Sequence, residues 1–501
     1  MTRPLPVVQD PRSADGHNWI KDYFLWAPLA LIAWRLAWKF QDPFISDWDG
    51  FDYTVQAVAN LPTPLGLGRA IFLAYNHWLW AIVHSGFGVP VERAYLVFRY
   101  GVIAQSGLAI IGTYAAAKEL MANRVAAVIA AAILVFSPFF TIYSGRVMSE
   151  IPGFLVFFWA LWWMLRSLRL GSRNQFLLAA LLFGLSVNLR EFAVFYIWTI
   201  PLLARLYRFR LLDGLLGFAL AGAGALAGFT FWALYSPDFY LPAVTTWWKL
   251  SARERRIHNV TSANFWFLRT YAYQCSVAGT LTGPIATIFL AFKRQLRPVF
   301  VLSLAGLIAI LVLMMNHDLS VNPRYLLTGL PGLALASGWG IAQLMNWRSD
   351  IAIGVLILVA GLQAGVYTQL GKERYDQEWN ARAGRAYLSR IGGLPENSVF
   401  IVGARTPLVN FYAGLKARPG WQAIQPGADW PDTHLAKVID SYLVQGRPVF
   451  VDLDRDLWNP GARESSREVI GLEMIRRRYE LAPVNGSIFR IVRRNSTPAG
   501  D

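Results

Sequence analysis

The chain alternates between long apolar runs and short, mostly basic interruptions. Runs of about 17–25 apolar residues predict membrane-spanning helices. They fall near 22–40, 95–117, 124–143, 151–168, 175–189, 192–207, 211–234, 276–292, 298–315, 325–346 and 350–369, about eleven in all. The fifth and sixth are short and share the polar interruption NLRE at 188–191. Between the first two runs lies a long loop, 41–94. Within it FDYTVQAVANL and AIFLAYNHWLWAIVH show the helical rhythm of segments lying at a membrane surface. After residue 370 the pattern changes. EWNARAGRAYLSRIG and SREVIGLEMIRRRY read as amphipathic helices, whereas SVFIVG, GRPVFVDLD and GSIFRIVRR read as strands. The expected architecture is a polytopic α-helical membrane domain over 1–370 and a small α/β domain over 371–501, outer loops 41–94 and 235–275 belonging to the first.

Composition supports a membrane protein. Apolar residues make up 55% of the 501 positions and charged residues only 16%, with 21 Trp and 31 Phe. Mean hydropathy is +0.36. Soluble domains carry about 25% charged residues. The net charge of +16 would suit nucleic acid, but the basic residues sit mostly in short loops, where membrane orientation accounts for them and nucleic acid is not an expected partner. One set of alternate loops holds Lys118, Arg124, Arg166, Arg169, Arg173, Arg205, Arg208, Arg210, Lys293, Arg294, Arg297 and Arg348. That set is expected to be cytoplasmic together with the N-terminus, in a plasma (inner) membrane. The opposite set, including 41–94, 144–150, 189–191, 235–275, 316–324 and everything after 370, is expected to be extracytoplasmic. The polar N-terminus has no signal-peptide core, so the first apolar run is expected to be a retained helix. A single cysteine, Cys275, excludes an intramolecular disulfide and a thiolate metal cluster.

Several groups of polar residues gather on the expected outer side, each with a plain structural reading beside a chemical one. SDWDGFDY, 46–53, places Asp47, Asp49 and Asp52 within six positions. They suit a solvated loop whose acids cap the next helix, or a catalytic carboxylate. DWD also matches the Asp-x-Asp of soluble sugar transferases that hold a metal and a nucleotide sugar, but such donors are cytoplasmic and these acids are not. SGRVMSEIP, 144–152, carries Arg146 and Glu150 four apart, a spacing that permits a simple helical pair. Equally, an ionisable group at membrane depth is a functional candidate because desolvating it is costly. Arg190 and Glu191 carry the same two readings. In NHDLSVNPRYLLTGLP, His317 suits a structural hydrogen bond, and Arg324 suits either snorkelling or anion binding. TTWWKLSARERRIHNV, 245–260, mixes Lys249 and further cations with aromatics, as a solvated face or a lipid-phosphate site would. GAGALAG, 222–228, reads as small-residue helix packing rather than a dinucleotide loop, since no strand precedes it.

The order of these motifs resembles the GT-C glycosyltransferase superfamily. An acidic first outer loop is followed by an Arg-x-x-x-Glu second loop (RVMSEIP), a large mid-chain outer loop, and Asn-Pro-Arg-Tyr-Leu-Leu before a Pro-containing helix. Within the superfamily it resembles the bacterial branch of protein mannosyltransferases and lipid A aminoarabinose transferases. The similarity covers roughly residues 20–370 and extends to the habit of a terminal soluble domain. The resemblance implies a GT-C-like fold and transfer of a hexosyl or pentosyl group, with inversion, from a polyprenyl-phosphate-linked donor to an extracytoplasmic hydroxyl of a glycan, lipid or protein. It implies a general base in the first outer loop within reach of that hydroxyl. The family's Asp-Glu-x-x-Tyr aligns with DGFDY, so Asp49 takes the base role and Tyr53 the tyrosine, while Gly50 stands where Glu is usual. Asp47 is the rival base, and Asp52 is expected to cap the helix. Glu150 matches the second-loop acid. Arg324, beside Tyr325, matches the Arg-Tyr motif and is the first choice for the leaving phosphate, followed by Arg190, Lys249 and His317, with Arg146 nearby in sequence. No cofactor is expected, and Asp47-x-Asp49 alone is too little to propose a divalent metal. The competing function is a transporter or flippase of lipid-linked sugars. It would place ionisable sites near the bilayer midplane and show paired halves, neither of which the sequence displays.

Overall fold

The computed structural model describes residues 19–42, 48–63, 69–257, 260–316, 323–402, 406–424, 432–453 and 467–494. The chain divides into two compact units. One comprises Met1–Gln41, Asn60–Leu79 and Leu96–Glu373, the other Asp42–Ala59, Trp80–Tyr95 and Arg374–Asp501.

The first unit is helical. Among the described residues six helices are long and apolar enough to span a membrane: Val91–Met121, Glu150–Arg169, Leu211–Tyr235, Tyr273–Ala291, Arg294–Met315 and Ser349–Thr368. Counting a bent pair, Arg124–Val135 and Pro138–Ser144, as one span gives seven. The difference from the expected eleven lies in helices that the sequence breaks or shortens. The 124–143 run bends by 62°. Ser137 accepts a hydrogen bond from the Phe140 amide and Pro138 opens the second helix, so a new N-terminus starts inside the apolar run. The 175–189 run forms a 13-residue helix, Arg173–Leu185, then a 3-10 turn. The 192–207 run forms two short helices, Val194–Ile197 and Thr199–Leu206. The 22–40 run forms the 17-residue helix Tyr23–Lys39, and the 325–346 run begins as a 3-10 turn, Pro323–Thr328, before the Leu330–Trp347 helix.

Two devices hold these helices together. The first is small-residue contact, as GAGALAG anticipates. A Cβ on Gly184 would lie 2.0 Å from the Ala221 carbonyl oxygen, and one on Gly224 would lie 2.6 Å from that of Leu181. Helices Arg173–Leu185 and Leu211–Tyr235 therefore touch backbone to backbone, an approach only glycine permits. The second is a row of ion pairs on the face expected to be cytoplasmic. Buried Asp22 accepts hydrogen bonds from Lys118 and Tyr114, both at 2.9 Å, and pairs with Arg124 at 2.8 Å. Arg169 donates to Glu119 and Arg173 to Asp213. Thus several cations that mark orientation in the sequence also fasten one helix to the next.

The second unit is built on a five-stranded sheet. Its strands are β1 (Val399–Ile401), β2 (Gln422–Ile424), β3 (Val449–Asp452), β4 (Tyr479–Asn485) and β5 (Ile488–Arg493), in the order β2-β1-β3-β5-β4. The first three are parallel, and β5 pairs antiparallel with β3 and β4. Continuous burial of β1 and β3 is what a sheet covered on both faces requires. Val399, Ile401 and Val451 face a core with Leu435, Ile439 and Ile475. Phe400 and Phe450 face the other way, onto Tyr387, Ile391, Val409 and Trp421. The Trp48–Ala59 helix of the first long loop joins this second core. Phe51 packs on Phe411 with ring centroids 5.1 Å apart, and Gly414 leaves room for Val55.

The expected strands SVFIVG, GRPVFVDLD and GSIFRIVRR are present as β1, β3 and β5, and SREVIGLEMIRRRY supplies the Arg467–Arg478 helix. The 378–392 segment is the end of one long helix, Ser349–Ile391, continuous with the last apolar run.

The backbone contact at Gly184 predicts that Gly184→Val forces helices apart and costs about 1–3 kcal/mol of overpacking. Gly222 lies on the same Leu211–Tyr235 helix, and a Cβ there meets nothing within 4 Å. Gly222→Ala should therefore hold or raise stability, by up to about 1 kcal/mol of helix propensity. Thermal unfolding of the two purified variants checks the contrast.

Candidate active site

Three turns of the first unit converge on one buried cluster of charge. The first is the entrance to the Glu150–Arg169 helix. Glu150 stands in its first turn, where the helix dipole favours a carboxylate. Pro152 fits there because the first turn has no use for its missing N–H. Ser149, at the N-cap, makes no side-chain cap. Its hydroxyl instead accepts a hydrogen bond from Arg69 Nη1 at 2.9 Å.

The second turn links the Arg173–Leu185 helix to the next. Asn188 anchors it to the Leu211–Tyr235 helix by donating to the Gly224 carbonyl and accepting from the Gly228 amide, both at 2.8 Å. Gly153 completes the approach from the other side. A Cβ there would lie 2.8 Å from Arg190 Cβ and 3.0 Å from the Phe192 ring, so glycine lets Arg190 come down beside the helix entrance. The third is the Pro323–Thr328 turn, which carries Arg324 and Tyr325. Tyr196 pins it, donating to the Thr328 carbonyl at 3.0 Å while accepting from the Gly332 amide at 3.3 Å.

The result is a carboxylate between two guanidinium groups. Glu150 Oε1 lies 3.1 Å from Arg190 Nη2 and 3.8 Å from Arg324 Nε. Side-chain exposure is 3% for Glu150, 6% for Arg190 and 11% for Arg324, so the charges are largely shielded from water. Arg190 also lies over the Tyr325 ring at 5.7 Å and reaches Glu191 at 4.0 Å. Glu191 is paired in turn with buried Arg69 at 3.5 Å. Burial works against the Arg190 charge and Arg324 repels it. Glu150 and Glu191 outweigh both and hold Arg190 above the ordinary arginine pKa. Among the described residues three arginines thus face two glutamates.

Arg69 is the member that sequence reading missed. It precedes the Ala70–Phe87 helix with φ of +43°, a left-handed backbone unusual for a residue with a side chain. No motif marks it. The one available signal was an arginine in a loop otherwise judged by its acids.

The other expected residues are distributed as follows. Arg146 is buried over the Tyr143 ring at 5.8 Å. Lys249 is exposed on the Pro237–Ile257 helix. Asp49 belongs to the second unit, half-buried in the first turn of the Trp48–Ala59 helix. Tyr53 of that helix is fully buried, and Thr54 donates to the Gly50 carbonyl at 2.7 Å. Asp52 is not a cap. It lies within the helix and accepts from Gln56 at 3.3 Å, because the helix begins four residues before it. Asp47 and His317 lie outside the described residues. Among the described residues no three His, Cys, Asp or Glu side chains are grouped as metal ligands.

Comparison with known proteins agrees with this architecture. Residues 75–234 match the family described as dolichyl-phosphate-mannose-protein mannosyltransferase. Two crystal structures of ArnT from Cupriavidus metallidurans share the fold. The one bound to undecaprenyl phosphate superposes with a TM-score of 0.58 at 13% identity, covering 94% of this chain and 98% of that one. The apo structure gives 0.56 at 12% identity, covering 96% and 98%. No curated sequence matches. The family match spans residues 75–234, and the superpositions show a fold shared over nearly the whole chain.

The cluster makes a stability prediction of its own. Arg190→Ala leaves a buried carboxylate short of its nearest partner and should cost about 3–5 kcal/mol. Adding Glu150→Gln removes the charge and should recover much of that loss, which thermal unfolding of the single and double variants will measure.

Proposed function

We propose that the chain transfers a hexosyl or pentosyl group from a polyprenyl-phosphate-linked donor to an extracytoplasmic hydroxyl, with inversion at the anomeric carbon. The observation that carries the reading is the convergence of three buried or nearly buried guanidiniums, Arg69, Arg190 and Arg324, on Glu150 and Glu191. Planar guanidinium matches phosphate in bidentate fashion. As the sugar–oxygen bond breaks, negative charge gathers on the leaving phosphate, and donors already fixed in place stabilise it without reorganising. Arg324 is the member assigned to the phosphate, since it is the more exposed partner of Glu150. Glu150 sets the positions of Arg190 and Arg324 and keeps their mutual repulsion in check.

In this reading a first-outer-loop carboxylate takes the proton from the acceptor hydroxyl while the hydroxyl attacks. That carboxylate is Asp49, with Asp47 as the alternative. Arginines supply the charge that a metal supplies in other transferases, so no divalent ion is required. The donor chain lies among membrane lipids, the N-terminus is cytoplasmic, and the C-terminal α/β unit is extracytoplasmic. The acceptor is a glycan, lipid or protein, and nucleic acid has no part.

With purified protein and a radiolabelled polyprenyl-phosphate sugar, Asp49→Asn should abolish transfer while leaving donor binding nearly intact. Full activity in both Asp49→Asn and Asp47→Asn would refute a carboxylate base in this loop. Arg324→Ala should lower transfer about 10²–10³-fold, the usual loss for one fixed transition-state donor. Unchanged donor kinetics would remove it from the phosphate site. Activity should persist after exhaustive chelation with EDTA, and loss restored by added Mg²⁺ or Mn²⁺ would assign a metal to the reaction.

A further inference from the structure

A second feature of the helical unit lies apart from the charge cluster. A groove of about 470 Å³ runs between helices Arg124–Val135, Tyr273–Ala291, Leu330–Trp347 and the last apolar stretch, Ser349–Thr368. Its wall is almost wholly apolar. The last helix contributes Leu356, Val359, Ala360, Gln363, Ala364 and Tyr367, one continuous face about 16 Å long at 1.5 Å per residue. That helix is otherwise little buried, since only 11% of its apolar window packs inside the protein.

One polar group interrupts this wall. Gln363 is 8% exposed and lines the groove. Its Oε1 accepts from the Val277 amide at 3.2 Å, which fixes the orientation of the side-chain amide. That amide is available because the chain is non-helical at Ser276, with φ −174° and ψ 123°, so a new helical segment begins there. Ser276 Oγ takes the Gly279 amide at 3.0 Å. Gln363 Nε2, by contrast, has no hydrogen-bond partner among the described residues. A buried donor left unmatched is costly, so the wall is suited to an occupant with one acceptor at this level. Beyond it Tyr367 is engaged with Thr141 at 2.9 Å.

We propose that the groove is a binding site for a glycerolipid, with one acyl chain along its apolar wall and the ester carbonyl of that chain accepting from Gln363 Nε2. Depth and chemistry select this occupant. Gln363 lies about 8 Å inside the end of the Ser349–Thr368 stretch, and ester carbonyls are the innermost acceptors of a phospholipid. A polyprenyl phosphate carries all its acceptors on the terminal phosphate, and its hydrocarbon offers Gln363 nothing. The volume falls within the range of ordinary small-molecule sites. The bound lipid fills the gap that the last helix leaves against the bundle, and the site is independent of which sugar is transferred.

The test uses the full-length protein in nanodiscs containing a phosphatidylglycerol with a diazirine at the end of one acyl chain. On irradiation, wild-type protein should label in peptides covering 128–136 or 356–367. Ala360→Trp puts an indole into the groove from an exposed position, and should cut that labelling at least about tenfold. Gln363→Leu keeps the apolar wall and should weaken retention of the lipid about threefold to tenfold, the worth of one neutral hydrogen bond. Thermal unfolding confirms that each variant is folded. Excess unlabelled polyprenyl phosphate should leave the labelling unchanged. Labelling insensitive to both substitutions, or displaced by polyprenyl phosphate, overturns the proposal, the latter assigning the groove to a prenyl chain.

Discussion

The first unit depends on a single buried interaction, the Glu150 carboxylate between the Arg190 and Arg324 guanidiniums. Removing three charges from water is expensive, and only their mutual attraction makes the arrangement tolerable. Every neighbouring feature serves that geometry. Gly153 lets Arg190 descend, Asn188 fixes the turn that carries it, and Tyr196 holds the turn that carries Arg324. Arg69 draws Ser149 away from its ordinary capping role and extends the cluster through Glu191. Among the described residues three guanidiniums gather on two carboxylates. That gathering of guanidiniums makes the network a candidate anion site.

The rest of the helical unit keeps this network in register. Glycine contacts at 184 and 224 bring helices to backbone distance, and ion pairs at Asp22, Glu119 and Asp213 close the face expected to be cytoplasmic. Packing and charge divide the work in a way suited to a lipid surround, where apolar side chains alone give helices little reason to associate.

Much of this was legible in the sequence, for identifiable reasons. Apolar runs, the change of pattern after residue 370 and the three strongest strands depend on local periodicity, and local periodicity survives folding. The convergence of RVMSEIP, NLRE and NPRYLL was legible because each motif interrupts an apolar run with charge. Their mutual contacts were not. The helical pairing of Arg146 with Glu150 was an open reading, whereas the partners found for Glu150 lie 40 and 174 positions away in the chain. The bend at Ser137 was hidden because a serine inside an apolar run interrupts hydropathy too little to divide a span, whereas the break at Ser276 falls where the 276–292 run begins. Strands β2 and β4 were missed, the second because it contains Pro483. Arg69 was missed because its importance comes from a backbone turn and distant partners, neither of which leaves a local pattern.

The central claim is that the guanidiniums of the buried cluster receive the phosphate of a polyprenyl-linked donor. An experimental structure of the protein with bound polyprenyl phosphate tests it most directly. The account predicts a phosphate oxygen within hydrogen-bonding distance of Arg324, with Arg190 or Arg69 as a second donor and Glu150 still between Arg190 and Arg324. A phosphate held elsewhere, with none of these three arginines within reach, would contradict it.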